Sequence, residues 1–283
     1  MTIFEAIILG VIQGLTEFLP ISSTAHLTLA GRFMHLINAV HPELWTEFIA
    51  VIQLGTLAAV CVYFARDILG MMSAAGSDLV HGKILQGTSA WKKETRLAFL
   101  IVIGTLPVAL IGLGFRHVIE GSLTKSIPII ASSLIGLALL LWLAERIAQH
   151  RREIGSMTWR DGLLIGFAQS LALIPGSSRS GTTITAGLFL GMTREAAARF
   201  SFLLSIPAVL ASGLLELRAV EGGVFALGMG NLITATVVAG ITGYLAIAWL
   251  LKYLTHNSTM IFVWYRILLG LFLFALLIAK EIL

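Results

Sequence analysis

Along this chain, long uncharged apolar runs alternate with short polar stretches. The runs at 48–65, 97–115, 127–144, 200–215, 231–251 and, after Arg266, 267–279 can cross roughly 30 Å of hydrocarbon at about 1.5 Å per helical residue. With their flanks they predict spans at 48–65, 97–115, 127–144, 196–215, 231–251 and 260–279. Two segments break the pattern. Residues 3–19 are apolar at helical spacing but hold Glu5, Gln13 and Glu17 and stop at Pro20, which disfavours helix in the residue before it. Ser22, Ser23 and Thr24 then suit the N-cap of a second helix through Leu27, Leu29 and Phe33. Each half is too short or too polar to cross alone, and backbone broken at membrane depth is tolerated only under cover of protein or a wet cavity. Residues 3–37 therefore read as a re-entrant hairpin, and 161–193 as a second one.

Charge sets the orientation. The connections at 66–96 (Arg66, Lys83, Lys92, Lys93, Arg96) and 145–160 (Arg146, Arg151, Arg152, Arg160) are basic, whereas 116–126 holds just Arg116 and Lys125. The basic loops are expected inside, and 116–126 and the Gly-rich 216–230 outside. Three spans follow each hairpin, an odd number, so the two hairpins enter from opposite faces. The expected fold is an all-α polytopic membrane protein, six transmembrane helices plus two broken-helix hairpins in an inverted-topology repeat. Its halves, 1–145 and 146–283, form one integral membrane domain. Residues 38–47, with Pro42 and Trp45, read as an interfacial loop, and an amphipathic surface helix is expected around Trp91.

Composition agrees. Hydrophobic residues make up 57% and charged residues 12%, against about 25% charged in soluble domains, and the mean hydropathy is +0.93. The net charge of +4 lies between the spans, as topology requires, so nucleic acid is discarded as a partner. Cys61 is the single cysteine, which excludes an intramolecular disulfide or a cysteine cage for metal. The opening Met-Thr-Ile-Phe-Glu lacks the basic region of a cleavable signal peptide.

The candidate chemistry sits in the hairpins. Gly10, Gln13, Leu15, Pro20, Ser22 and Ser23 are repeated as Gly166, Gln169, Leu171, Pro175, Ser177 and Ser178, with one residue deleted between leucine and proline. Charge differs: Glu17 and His26 flank the first break, Arg179 the second. An ionised carboxylate inside an apolar helix needs a cavity or a partner, which makes Glu17 a candidate metal ligand or proton-handling group with Gln13 on its face. Ser23 and His26, three apart, share a helical face, so a base can act on a hydroxyl nucleophile. The bland reading is that the serines are only caps. Arg179, in a Ser/Gly-rich turn opening a helix, offers a phosphate cradle with Ser178, Ser180, Thr182 and Thr183. Arg266 either balances charge in the core or snorkels. Arg194, Glu195 and Arg199 read as an interfacial charge cluster, and His35, His41, His81, His117, His150 and His256 as solvated.

The segments Q-G-L-T-E-F-L-P-I-S-S-T-A-H (13–26) and P-G-S-S-R-S-G-T-T (175–183) resemble the two signature motifs of the undecaprenyl-diphosphatase family, bacterial phosphatases linked to bacitracin resistance. The likeness covers length, repeat plan and motif spacing. Gln13 stands where the family accepts Glu or Gln, and Ala25 replaces the usual glycine before the motif histidine. The resemblance implies hydrolysis of a C55 polyprenyl diphosphate to the monophosphate and inorganic phosphate, recycling the lipid carrier of cell-wall synthesis. It implies a catalytic set of Glu17, Ser23, His26 and Arg179, supported by Ser178 and Thr183; the residue reading adds Gln13, Ser22, Ser180 and Thr182 as further substrate contacts. It also implies a divalent cation, Mg2+ or Ca2+, and an inner-membrane site toward the periplasm.

Phosphoryl transfer needs positioning and neutralisation of oxygens more than covalent help. The expected route is attack by Ser23 on the terminal phosphate, His26 taking its proton, with His26 or water as nucleophile in a second arrangement. The rival reading is a transporter or flippase of a lipid phosphate or other anion, since inverted repeats with broken helices are a transporter plan. The oligomeric state, a homodimer included, is left open.

Overall fold

The computed structural model describes residues 1–37, 43–115, 126–219 and 228–279. Eleven α-helices run in order among them: α1 Ile3–Phe18, α2 Ser23–Phe33, α3 Glu43–Tyr63, α4 Ala65–Val80, α5 Lys93–Gly114, α6 Ile127–Ile147, α7 Trp159–Ser170, α8 Arg179–Phe189, α9 Arg194–Ala219, α10 Met229–Leu254 and α11 Met260–Ile278. Six of these, α3, α5, α6, α9, α10 and α11, are long and apolar enough to cross a membrane. The all-α polytopic class expected from the hydropathy pattern is the class observed.

Two local expectations are corrected. Helix α3 begins at Glu43, so Trp45 is not in an interfacial loop. Its indole is buried, stacks on Phe48 and fills the space beside Gly31. The amphipathic helix within 66–96 is α4, not a segment around Trp91. Trp91 follows two 3-10 turns, donates to the Lys83 carbonyl at 3.2 Å and meets Phe99 edge-on. Helix α4 stops before Gly82, whose φ of 65° is left-handed. Asp78 ties α4 to α5, accepting from the Lys92 N–H at 2.8 Å and the Thr95 hydroxyl at 2.7 Å. Most of the loops at 116–126 and 216–230, with His41 and His117, lie outside the described residues.

Both broken segments start alike. Thr2 and Glu5 form a capping box at α1, and Thr158 and Asp161 form one at α7. Both first halves then press against a long helix through small residues, which let backbones approach closely. Helix α1 lies on α10, where a Cβ on Gly14 would sit 1.9 Å from the Thr242 hydroxyl. Helix α7 lies on α5, where a Cβ on Gly166 would sit 2.3 Å from the Gly104 carbonyl. Alanine fits neither contact without backbone displacement.

Charges near the helix ends are paired across elements. Arg194 binds the buried Glu145, whose other oxygen accepts from the Thr259 hydroxyl. Arg199 reaches Asp67 at 2.6 Å and lies over the Phe64 ring, and Arg152 reaches Asp161 at 2.6 Å. These residues are crosslinks more than a loose interfacial cluster. His150 is partly buried within bonding distance of Arg194 and the Glu145 carbonyl, which corrects its solvated reading. His35, His81 and His256 are exposed.

Candidate active site

The two breaks are built on one plan with a different register from that read in the sequence. The N-cap of α2 is Ser22 at φ 76°, and the N-cap of α8 is Ser178 at φ 67°. Both are left-handed conformations that serine rarely adopts and that cost energy. Each Oγ accepts from a backbone N–H three residues on, Ala25 N and Gly181 N. Thr2 with Thr158, Gln13 with Gln169, Ser22 with Ser178, and His35 with Gly191 thus run at one constant spacing. The residue lost before Pro175, in the 3-10 turn Leu171–Leu173, is regained at Gly176, whose φ is 85°. The serine pairing is therefore corrected: Ser22 matches Ser178, and Ser23 matches Arg179. The candidate nucleophile and the guanidinium hold equivalent first positions of two half-helices.

Arg266 fastens the breaks together. It is fully buried on α11, and its guanidinium donates to the carbonyls of Pro20 (3.4 Å), Gly176 (3.4 Å), Ser177 (3.0 Å) and Leu134 (3.3 Å). It is thus a core charge, not a snorkelling one. Gly181 admits it, because a Cβ there would stand 2.5 Å from Nη1. The carbonyls of both turns are thus turned onto Arg266, while the first N–H groups of α2 and α8 have no carbonyl within their own helix, the end of a helix that favours negative charge.

Glu17 is the hub above this brace. Its Oε2 accepts from the Ser23 hydroxyl at 2.9 Å and from Gln13 Nε2 at 3.1 Å, and its Oε1 accepts from Arg179 Nη2 at 3.0 Å. The carboxylate is buried, so the ion pair is little screened by water. Arg179 Nη1 is buried with no partner among the described residues. Glu17, Ser22, Ser23, Ser178 and Arg179 line one cavity of about 200 Å³, with Gln53, Gln169 and Ser212 in its wall and Val108, Ala208 and Val209 on its apolar side.

Other expected contacts fall elsewhere. His26 is not paired with Ser23. Its Nδ1 is 2.7 Å from the Ser22 carbonyl and its Nε2 is 2.6 Å from the Tyr265 hydroxyl. A carbonyl can only accept, so Nδ1 carries the proton, and in the neutral ring Nε2 accepts from Tyr265. The helical spacing that put Ser23 and His26 on one face was sound, but the ring closes back on its own turn. Ser180 donates to the Leu19 carbonyl, Thr182 to the Arg179 carbonyl, and Thr183 to the Arg179 carbonyl while touching Ser201. All three are buried and absent from the cavity wall: Ser180 ties the two hairpins together, Thr182 bonds within α8, and Thr183 joins α8 to α9.

Sequence reasoning passed over Gln53, took Gln169 only as a repeat mark and left Arg266 undecided. For Gln53 the signal was a single amide inside an otherwise apolar span, invisible to a search for charges. The described residues hold no cluster of three His, Cys, Asp or Glu groups for a metal. Glu17 lines the cavity with a hard carboxylate donor, whereas Gln13 Oε1, buried without a partner among the described residues, is not in the cavity wall. The Glu17 carboxylate suits a magnesium- or calcium-like ion that takes the rest of its shell from phosphate and water.

Comparison with known proteins adds a family-model match and whole-length relatives. A family model described as bacitracin resistance protein BacA matches residues 6–272. An undecaprenyl-diphosphatase of Syntrophobacter fumaroxidans is 53% identical over 270 residues, 95% of this chain and 95% of the relative. Proteins of the same name from Chloroherpeton thalassium (50% identical over 286 residues, 98% of this chain, 97% of the relative) and Pseudarthrobacter chlorophenolicus (47% over 280 residues, 98% of each) match equally completely.

Proposed function

The chain belongs to the bacitracin resistance protein BacA family, and on that premise we propose that it hydrolyses undecaprenyl diphosphate to undecaprenyl phosphate and inorganic phosphate at the cavity between the two breaks. One observation carries the site assignment: Glu17 holds Ser23 and Arg179, the first residues of the two half-helices, at once. In this reading Ser23 Oγ attacks the terminal phosphorus and the bond to the bridging oxygen breaks, releasing the lipid monophosphate. Glu17, hydrogen-bonded to that hydroxyl, takes its proton, the part the sequence reading had given to His26. Arg179 keeps Nη2 on Glu17 and offers Nη1 to the phosphate, while the N–H groups opening α2 and α8 meet its other oxygens. His26, braced by Tyr265, fixes the Ser22 turn. A divalent cation would be held by Glu17 and would supply neutralisation of phosphate charge when bound.

The cavity wall supports a site facing the periplasm of the inner membrane. Val108 of α5 and Ala208, Val209 and Ser212 of α9 belong to the helix halves leading to the sparsely charged loops. The inverted entry of the two hairpins agrees with the mirrored packing of α1 on α10 and α7 on α5. The apolar side of the cavity suits the first carbons of a prenyl tail.

The test is phosphate release from undecaprenyl diphosphate by purified protein in detergent, with and without a chelator, followed by mapping of any trapped phosphoenzyme. Chelator-sensitive release and label on Ser23 are expected. Detergent preparations that never release phosphate, beside vesicles in which Arg179→Ala stops lipid-phosphate movement, would favour the transporter.

A further inference from the structure

Gln169 is fully buried, lines the cavity, and has neither Nε2 nor Oε1 hydrogen-bonded among the described residues. Its counterpart shows why. In the first hairpin Gln13 donates to Glu17 one turn later, whereas in the second hairpin the residue one turn after Gln169 is Leu173. The repeat has kept the amide and lost its acceptor. A buried amide without partners is costly, and replacement by an apolar side chain of the same shape would remove that cost. Two complementary unfilled groups beside the serine, the carboxylate and the guanidinium point to a ligand that both accepts and donates.

We propose that Gln169 is a substrate-binding residue: Nε2 donates to a non-bridging oxygen of the transferred phosphoryl group, and Oε1 holds the water that releases it. The assignment rests on the hydrolase reading above. An amide carbonyl aimed at water while its neighbours grip phosphate is the arrangement by which glutamine orients attacking water in nucleotide hydrolases. In the release step the water oxygen bonds to phosphorus as the P–Oγ bond of phosphoserine breaks. Ser23 Oγ takes back the proton held by Glu17, and both water protons leave on dihydrogen phosphate. Gln53, on the cavity wall, is only partly buried, so its amide can be met by water in the way the enclosed Gln169 cannot.

The experiment compares wild type with Gln169→Met and Gln169→Glu in detergent, using a farnesyl methylenediphosphonate as a non-hydrolysable binding probe and terminally labelled undecaprenyl diphosphate for turnover. The expected result for Gln169→Met is an unchanged or higher Tm, at least ~10-fold weaker probe binding, about 100-fold lower kcat/KM and label retained on Ser23. Gln169→Glu, which loses the donor and adds negative charge, is expected to bind the probe still more weakly. Probe binding and turnover of Gln169→Met within threefold of wild type would overturn the proposal. So would a fall in Tm matching the fall in activity, since the amide would then be structural. If the wild type binds the probe but releases no phosphate, the hydrolase reading fails. The binding comparison then still decides whether Gln169 grips the diphosphate.

Discussion

The two hairpins share caps, length and packing yet hold their second halves differently. Helix α8 is enclosed: Ser180, Gly181, Thr182, Thr183, Ile184, Thr185, Gly187 and Leu188 are all buried, with α6, α7 and α9 around it. In α2 only Ala25, Leu27 and Gly31 are buried, and Thr24 is exposed. The buried half-helix opens with Arg179 and the open one with Ser23. One plan thus yields a fixed anion clamp and an accessible nucleophile, and the carboxylate joining them, Glu17, exists in one copy because its counterpart is Leu173.

If that division holds, the largest effects come from the two equivalent first positions, and they should differ in kind. Ser23→Ala is expected to lower kcat by about 10³-fold or more with substrate affinity kept, because it removes the attacking atom. Arg179→Ala is expected to lower kcat/KM by a similar ~10³-fold while also weakening binding, as for arginines that neutralise a transferring phosphoryl group. Steady-state phosphate release and probe binding separate the two. Identical profiles would erase the distinction between clamp and nucleophile.

Next comes the brace that serves both hairpins. Arg266→Met strands four carbonyls and should cost about 3 kcal/mol or more of stability, read as a large fall in Tm in detergent. A loss confined to one hairpin, seen by local protease sensitivity, would show that the clamp is not shared. Smaller and nearly equal effects, about 1 kcal/mol each, are expected for Ser22→Ala and Ser178→Ala, which remove matching caps. A marked inequality in thermal melts would sharpen the contrast between the open and enclosed halves.

The smallest effect lies away from both hairpins and serves as their control. The Lys92 N–H, then the Thr95 hydroxyl, hold the Asp78 carboxyl below the usual carboxylate range, with Lys83 and Lys92 adding to this against the opposing effect of burial. Its folded pKa is therefore lower than its unfolded value of about 3.9. The contribution is complete above that value and is lost as pH falls through the folded pKa. The Tm difference between wild type and Asp78→Asn should be constant near neutrality and shrink below about pH 4, with phosphate release at pH 7 unaffected.

Much of this was legible in the sequence, for identifiable reasons. Spans are long and apolar, so α5, α6, α10 and α11 are found within a few residues of their expected bounds. The breaks announce themselves through Pro20, Pro175 and the serines behind them. What sequence could not supply was geometry hidden in the turn. A 3-10 turn and a left-handed Gly176 shift the serines by one place, so letters that align, Ser23 with Ser178, do not superpose. Arg266 was ambiguous because its partners are backbone carbonyls, which no side-chain pattern reports. His26 was on the expected face, but rotamer choice, set by Ser22 and Tyr265, is not written in spacing.

The shared brace also bears on how the protein is made. Arg266 lies on α11, which leaves the ribosome after both hairpins, so during synthesis they must wait in the translocon or bilayer with their turn carbonyls unmet. No half of the nascent chain can assemble a working site. Coexpressed halves cut in the 145–160 connection should regain phosphate release only when the later fragment still carries that arginine.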